Sequence, residues 1–356
     1  MLNAFDEIYL NHEDGDITVE HAILALDAQN SGHINFLSHA TTAYFSGKSG
    51  GKQLLVSHEA HRILAHKMPK AAFLPCAYFR PIVLGNLQVE LLPSGQSPGS
   101  SFLRIEKKND SLLYASQWSN RPSPLLRRAA FRPVNTVLLK LHTDPAVLFG
   151  TTARRELERL GEFCAKLLRA GERIVVVADA SAAAHHIVAM LTELRLPVAL
   201  DKHLQLIFDA DNEKTAAVAV ASKEPPTVAS GSPTRWSQGA RTQWVESNSN
   251  QPCVYIVSKD SLTQRRQRVL PQGIWVWTGL DQHLTARCSW LGHLTFADTF
   301  ALQFTPDLGE IEDLVKETHP RQVLVCGEGA PTCVHHLTRR GIDAQVFAPP
   351  RLETLF

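Results

Sequence analysis

The hydrophobic pattern of this chain changes at Val134, and that change most constrains its fold. Before it, apolar runs are short and punctuated by turns. Residues 21–29 (HAILALDAQ) read as a strand with Asp27 near its end, and residues 34–40 (INFLSHA) as a second strand. After a loop carrying Gly47, Gly50 and Gly51, residues 54–67 open as a strand and continue as a helix. Strands are expected again at 71–79, 89–92, 102–107 and 112–115. Short strands of this kind predict a layer of a β-sandwich whose loops gather at one edge.

Beyond Val134 the runs lengthen. TVLLKLHTD (136–144) reads as a buried strand. Residues 153–171 place Leu157, Leu160, Phe163, Leu167 and Leu168 at helical spacing, with Gly171 as the C-cap. RIVVVADAS (173–181) is a continuous apolar run, as in a parallel strand, followed by a helix and the strand PVALD (197–201). Strand, helix, strand, helix, strand is the pattern of βαβ units. Residues 209–250 are rich in Ser, Pro, Thr, Gln and Asn and read as loop. Two more buried strands follow, CVYIVS and GIWVWTG. After Thr305 come a helix from Glu310, the strand QVLVCGEG, a helix from Thr332 and the strand AQVFA.

Composition excludes some function classes. The formal net charge is +1, with 20% charged residues, which argues against a polybasic arm while leaving room for a local basic groove. No apolar run reaches the length of a membrane span, and Asp6 and Glu7 precede any basic residue, so neither a membrane span nor a signal peptide is expected. The six cysteines include no C-x-x-C pair, which fits reduced thiols and a cytoplasmic location.

The chemistry-bearing stretch is LLPSGQSPGSS (91–101), a tight small-residue loop, with the strand LLYASQW (112–118) after it. Together with segments elsewhere it resembles the metallo-β-lactamase-fold nucleases that carry a β-CASP insertion. In that family the loop reads roughly Gly-His-x-x-Gly-Ser and the strand Leu-Tyr-Thr-Gly-Asp. Gln96 stands at the loop histidine and Gln117 at the strand aspartate. Residues 26–47 resemble the block that ends in the HxHxDH zinc motif. His39 falls on its first histidine, Thr41 on the second, Ala43 on the aspartate and Tyr44 on the last histidine. NTVLLKLHTD resembles the strand ending in Glu-Ser-Thr-Tyr, with Lys140 where the acid would be. Residues 170–194 resemble the start of the β-CASP core. GHLTFADTF (292–300) puts Phe296 on a histidine, and QVLVCGEG puts Cys326 on another, with Gly327 and Glu328 matching. The resemblance is to the bacterial DNA-ligase-associated exonucleases and the mRNA 3′-end processing factors.

The resemblance implies an α/β protein: an αββα sandwich from residues 1–145 and 306–356, with a β-CASP α/β domain inserted over 146–305. It implies two-zinc phosphodiester hydrolysis in active members, held by His and Asp ligands. Here Gln96, Gln117, Thr41 and Tyr44 are poor zinc ligands, and Ala43 and Phe296 are none. The expectation is therefore a pseudo-nuclease without a cofactor. It would scaffold an active nuclease paralogue, a helicase or a ligase, pair with a second copy, or bind DNA or RNA. An alternative is a metal-dependent nuclease with a rearranged zinc site using His39 and Cys326. Another is a phosphate- or nucleotide-binding module, with Lys140 and residues 95–101 cradling a phosphate through Ser97 and Ser100, and Arg265 and Arg266 on a phosphate-tracking surface. The same tracking role is open to Arg127, Arg128, Arg132, Arg154, Arg155 and Arg268. The sequence H-E-x-H at His58, Glu59 and His61 lacks the spacing that would put two imidazoles on one helix face. His185–His186 and His335–His336 are each expected to have one buried and one exposed member. Trp236 and Trp244 are candidate anchors for a partner.

Overall fold

The computed structural model describes residues 7–13, 16–21, 23–28, 33–40, 53–120, 126–141, 148, 152–178, 182–205, 207–208, 243–244, 251–263, 272–278, 295–302 and 305–349. Among these the chain is a mixed α/β structure of three sheets and six helices. The strands of the first two sheets are β1 (Leu10–Glu13), β2 (Asp16–Val19), β3 (Leu24–Leu26), β4 (Ile34–Phe36), β5 (Gln53–Ser57), β6 (Ala72–Cys76), β7 (Ile82–Leu84), β8 (Leu87–Pro93), β9 (Ser101–Lys107), β10 (Asp110–Ala115), β11 (Thr136–Leu141), β18 (Gln322–Gly327) and β19 (Ala344–Val346). The third sheet holds β12 (Ile174–Ala178), β13 (Pro197–Leu200), β14 (Gln243–Trp244), β15 (Val254–Ser258), β16 (Ile274–Thr278) and β17 (Phe296–Phe300). The helices are α1 (His58–Lys67), α2 (Thr152–Arg169), α3 (Ala183–Glu193), α4 (Lys259–Thr263), α5 (Leu308–Thr318) and α6 (Ala330–Arg339). The chain divides into two units: Met1–Pro122, Arg127–Gly150 and Thr305–Phe356 form the first, and Ser123–Leu126 with Thr151–Phe304 the second.

In the first unit, β1 to β6 form one sheet in chain order. β1, β2 and β3 are antiparallel, and β3 to β6 run parallel. Pro75 lies in β6, the edge strand, where a missing N–H costs no ladder bond. The second sheet has the order β19-β18-β11-β10-β9-β8-β7, parallel from β19 to β10 and antiparallel from there to β7. Strand alternation splits its residues between two cores. Leu112, Tyr114, Leu138 and Leu324 pack with Ile17, Leu24, Leu26, Phe36 and Leu55 of the first sheet. Leu113, Ala115, Val137, Leu139, Val323 and Val325 face the other way, toward Ile311 and Leu314 of α5 and Cys333 and Leu337 of α6. Each fully buried leucine contributes about 1.5–3 kcal/mol. α1 packs on β5 and β6, started by Ser57, whose Oγ accepts from Ala60 N at 3.0 Å. A capping box at Asp307 and Glu310 starts α5.

The second unit is built on a six-stranded parallel sheet of order β14-β13-β15-β12-β16-β17. Val175, Val177, Tyr255, Val257, Trp275 and Trp277 form its core. α3 is buried from Ala183 to Thr192. That corrects the reading of His185–His186: both rings are buried, because this helix lies within the core rather than on it, and His185 stacks on Phe208 at 4.1 Å.

Three further readings change. The strand expected over 21–29 is only Leu24–Leu26, because Glu20, His21 and Asp27 adopt the left-handed backbone region. β1 and β2 were not foreseen; their half-polar sequence lacks an apolar run. Gln243 and Trp244, expected in a loop, pair with Pro197 and Val198 as β14.

Candidate functional site

The carboxyl ends of β3, β4, β10, β11 and β18 converge in the first unit, and Asp27 ties them together. It follows β3 with φ 46°, a conformation tolerated by Asp, and is 2% exposed. Its Oδ1 accepts from Ser38 N at 2.8 Å and its Oδ2 from the Tyr114 hydroxyl at 2.9 Å. Its carbonyl accepts from Lys140 Nζ at 3.3 Å. The Ser38 hydroxyl, a separate group from the amide that Asp27 holds, lies 2.8 Å from the buried His39 Nδ1.

The loop after β8 closes on itself. Gly95 and Gly99 both have φ +78°, and a β-carbon on Gly99 would collide with the backbone nitrogen of Ala60. That close approach seats the loop on the start of α1, where Ser57 Oγ donates to Gly99 O at 2.8 Å. Ser97 N donates to Ser100 Oγ at 3.0 Å, and Ser100 Oγ donates in turn to Ser97 O at 2.7 Å. Ser100 N also bonds Ser97 O. The Ser97 amide and the Ser100 amide and hydroxyl, candidate phosphate donors, are thus engaged inside the loop. Beside it, Gln96 Nε2 donates to Gln117 Oε1 at 2.7 Å.

Lys140 is 7% exposed and pairs in register with Cys326 on the neighbouring strand. The Cys326 thiol donates to Leu139 O at 3.4 Å, and burial pushes its pKa up to about 11 despite the nearby Lys140 charge. Glu328, matched by the resemblance, is exposed. Phe296 belongs to the second unit, where its ring meets the edges of Trp275 and Trp277. Thr41, Ala43, Tyr44, Arg265 and Arg266 lie outside the described residues, as do Trp236 and Arg268.

These residues do not fit a zinc pair. The two glutamine side chains bond one another, the Cys326 thiol stays protonated at neutral pH, and an ammonium stands among them. Among the described residues, no group of three or more His, Cys, Asp or Glu side chains is placed to hold a metal ion.

Elsewhere, two arginines of the proposed tracking surface have local tasks, while Arg128 and Arg155 are exposed. Arg127 pairs with Glu59 at 3.0 Å and lies over the Tyr78 ring. Arg132 pairs with Glu90 at 3.2 Å and lies over Phe79. His336 is half-buried and pairs with Glu312 at 2.7 Å, while His335 is exposed. In the second unit, Ser258 Oγ meets His203 Nδ1 at 3.0 Å, beside Asp201. The Asp201 carboxylate accepts from Leu204 N and Ser258 N, and Ser258 Oγ caps Ser261 N. That carboxylate holds backbone, not the imidazole, so the trio lacks the orienting bond of a nucleophilic triad.

Sequence reasoning noted Asp27 only as a strand end and gave no role to Ser38 or Tyr114. An acid closing a short apolar strand was the available signal.

No family model matches this chain, and neither does any curated protein. Its fold has a solved counterpart. The chain is similar to a protein of unknown function from Enterococcus faecalis V583, with a TM-score of 0.54 and 10% identity, over 89% of this chain and 79% of that one. At that identity the likeness is one of fold alone. Among the described residues, no helix is long and apolar enough to cross a membrane.

Proposed function

We propose that this chain is a degenerate member of the β-CASP branch of the metallo-β-lactamase-fold nucleases. It acts without hydrolysing phosphodiesters, as a partner subunit of an active nuclease or as a scaffold that holds nucleic acid. One observation carries this reading: Gln96 and Gln117, at the positions where the resemblance calls for a histidine and an aspartate, are bonded to each other at 2.7 Å. Lys140, where the resemblance calls for an acid, and the protonated Cys326 thiol next to it agree with it. So does the architecture, with two facing sheets in the first unit, helices packed on each, and a parallel α/β unit inserted within its sequence.

The partners that fit are an active nuclease of the same fold, a helicase or ligase, or a second copy of the chain, with DNA or RNA as the nucleic acid held. The test incubates the full chain with end-labelled single-stranded DNA and RNA, with and without zinc or manganese. Retention of uncut oligonucleotide, or co-purification with an active nuclease, is the expected result. Metal-dependent cleavage that disappears in His39→Ala would overturn the proposal and favour a rearranged active site.

A further inference from the structure

Beside the free edge of the second sheet, arginines and aromatic rings alternate in contact. Arg127 lies over the Tyr78 ring at 5.5 Å, the Tyr78 and Phe79 rings are 6.5 Å apart, and Arg132 lies over Phe79 at 5.9 Å. The buried Glu59 holds Arg127 at 3.0 Å and the buried Glu90 holds Arg132 at 3.2 Å. Both arginine side chains nevertheless stay 41% and 46% exposed. Arg80, next to Phe79 in the chain, and Arg128, next to Arg127, are exposed and make no ion pair among the described residues.

Phe79 is held against its own preference. Its φ of 61° lies in a region that bulky side chains rarely enter, and its ring is 45% exposed, so burial does not hold it there. Neighbouring bonds fix the conformation: Phe79 N donates to Leu91 O at 3.0 Å, and the Tyr78 hydroxyl donates to Ser100 O at 3.0 Å. Strain that presents an apolar ring to solvent points to a ring that is used. β7 starts just beyond, at Ile82, and is the last strand of its sheet. Its outer N–H and C=O groups therefore have no ladder partner among the described residues, and Val83 at its centre is 74% exposed. Glu90 follows Val89, the β8 partner of Ile82, which sets the Arg132–Glu90 pair at the start of this edge.

Charge decides what fits. Arg104 also pairs with Glu90 and with Glu106. Arg80, Arg104, Arg127, Arg128 and Arg132 thus stand against Glu59, Glu90 and Glu106, a surplus of two positive charges. So small a surplus neutralises too few phosphates to hold a nucleic-acid backbone tightly, because that affinity grows with each phosphate contacted. It matches a segment bearing a few carboxylates, which planar guanidiniums grip through paired hydrogen bonds. We infer that residues 78–84, with Arg127, Arg128 and Arg132, dock an extended acidic segment of a partner protein, laid along β7 as an added strand. Backbone bonds to the free edge supply affinity, Phe79 and Val83 take an apolar side chain, and the exposed arginines take the carboxylates. The inference rests on the partner-subunit reading above and assigns a surface to it.

The test measures, by fluorescence anisotropy, binding of the full chain to labelled peptides in which Asp or Glu alternates with Val or Leu. Peptides of about ten residues span the edge at about 3.3 Å per residue. Controls carry Lys in place of each acid, and a single-stranded oligonucleotide represents nucleic acid. The acidic peptides are expected to bind, more weakly as salt rises, and the Lys controls are expected not to. Phe79→Gly, and the double change Arg80→Glu with Arg128→Glu, are each expected to weaken binding by about tenfold or more. Glycine accepts φ 61° freely, so Phe79→Gly is expected to leave the melting temperature nearly unchanged, which separates a docking role from a structural one. Absence of acidic-peptide binding, or equal affinity in wild type and both variants, would overturn the inference. Without peptide binding, oligonucleotide binding abolished by the same variants would give the surface to nucleic acid, and a dimer dissociated by them would give it to a second copy; either overturns the acidic segment. An active nuclease that co-purifies equally with wild type and variants would overturn this surface and leave the partner role standing. Variant-sensitive peptide binding with no nuclease, helicase or ligase co-purifying would support the surface and count against that role. If Phe79→Gly fails to fold, the double charge reversal decides the question.

Discussion

Gln96 and Gln117 hold each other at 2.7 Å, amide to amide, between the loop after β8 and the end of β10. Two neutral side chains bonded in this way satisfy each other without a cation. Neither amide offers the imidazole nitrogen or the charged carboxylate through which zinc is ordinarily held.

The first prediction follows from that pairing. The purified, tag-free chain is expected to carry no stoichiometric zinc by elemental mass spectrometry, and chelator is expected to leave its melting temperature unchanged. One or two tightly held zincs would mean that ligands outside the described residues complete a site.

Tyr114→Phe removes one of the two donors to the Asp27 carboxylate while keeping the ring in the core against Phe36. A charge-assisted bond lost in a buried setting is expected to cost about 1.5–3 kcal/mol. Urea unfolding measures it, and a loss near zero would show that Asp27 does not tie the strand ends together.

Lys107 and Glu20 form a buried pair at 2.9 Å that joins the sharp turn after β2 to β9. Lys107→Met strands the carboxylate and is expected to cost about 3–5 kcal/mol, more than the double change Lys107→Met with Glu20→Gln. Burial tends to raise the Glu20 pKa, but the hydrogen bond from Lys107, the Tyr9 N–H and the Lys107 charge hold it below the ordinary 4.5. A depressed carboxylate stabilises the fold above its unfolded value, and that contribution is lost as pH falls through the lower folded value. Acid unfolding curves should therefore lose part of their slope below pH 4.5 in Glu20→Gln.

Gly99→Ala introduces a β-carbon against the Ala60 backbone at φ +78°. A cost of about 1–3 kcal/mol is expected in urea unfolding. An unchanged midpoint would show that the loop moves away from α1 at no cost.

Burial pushes the Cys326 thiol up to about 11, and Cys164 and Cys333 up to about 12. Thiolate is the reactive form, so native protein at pH 8 is expected to resist iodoacetamide at all three, with labelling only on unfolding. Rapid native alkylation of Cys326, mapped by mass spectrometry, would revive it as an accessible ligand or nucleophile.

The α/β class was legible because it rests on local pattern. The run IVVVA in β12, the helical spacing of Leu157, Leu160 and Leu168, and the apolar strand QVLVC are each readable within a few turns of chain. β1 and β2 were not. A strand held by its ladder to a neighbour needs no apolar run of its own, as LNHE in β1, paired with β2 just beyond it, illustrates. The same limit hid the burial of both His185 and His186. Adjacent positions on a helix point apart, but a helix enclosed in a core buries both.

The chain's local order of residue types set its succession of strands and helices, and placed Gln96, Gln117, Lys140 and Cys326 at strand ends and turns. Only the tertiary structure decided what those residues do. Asp27, Ser38, Tyr114 and Lys140 are far apart in sequence and meet only when two sheets close face to face. The single hydrogen bond of Lys140, to Asp27 O, belongs to that closure as well. Whether a buried polar group finds its partner depends on which strand lies next to it, and that is a property of sheet topology rather than of any segment alone.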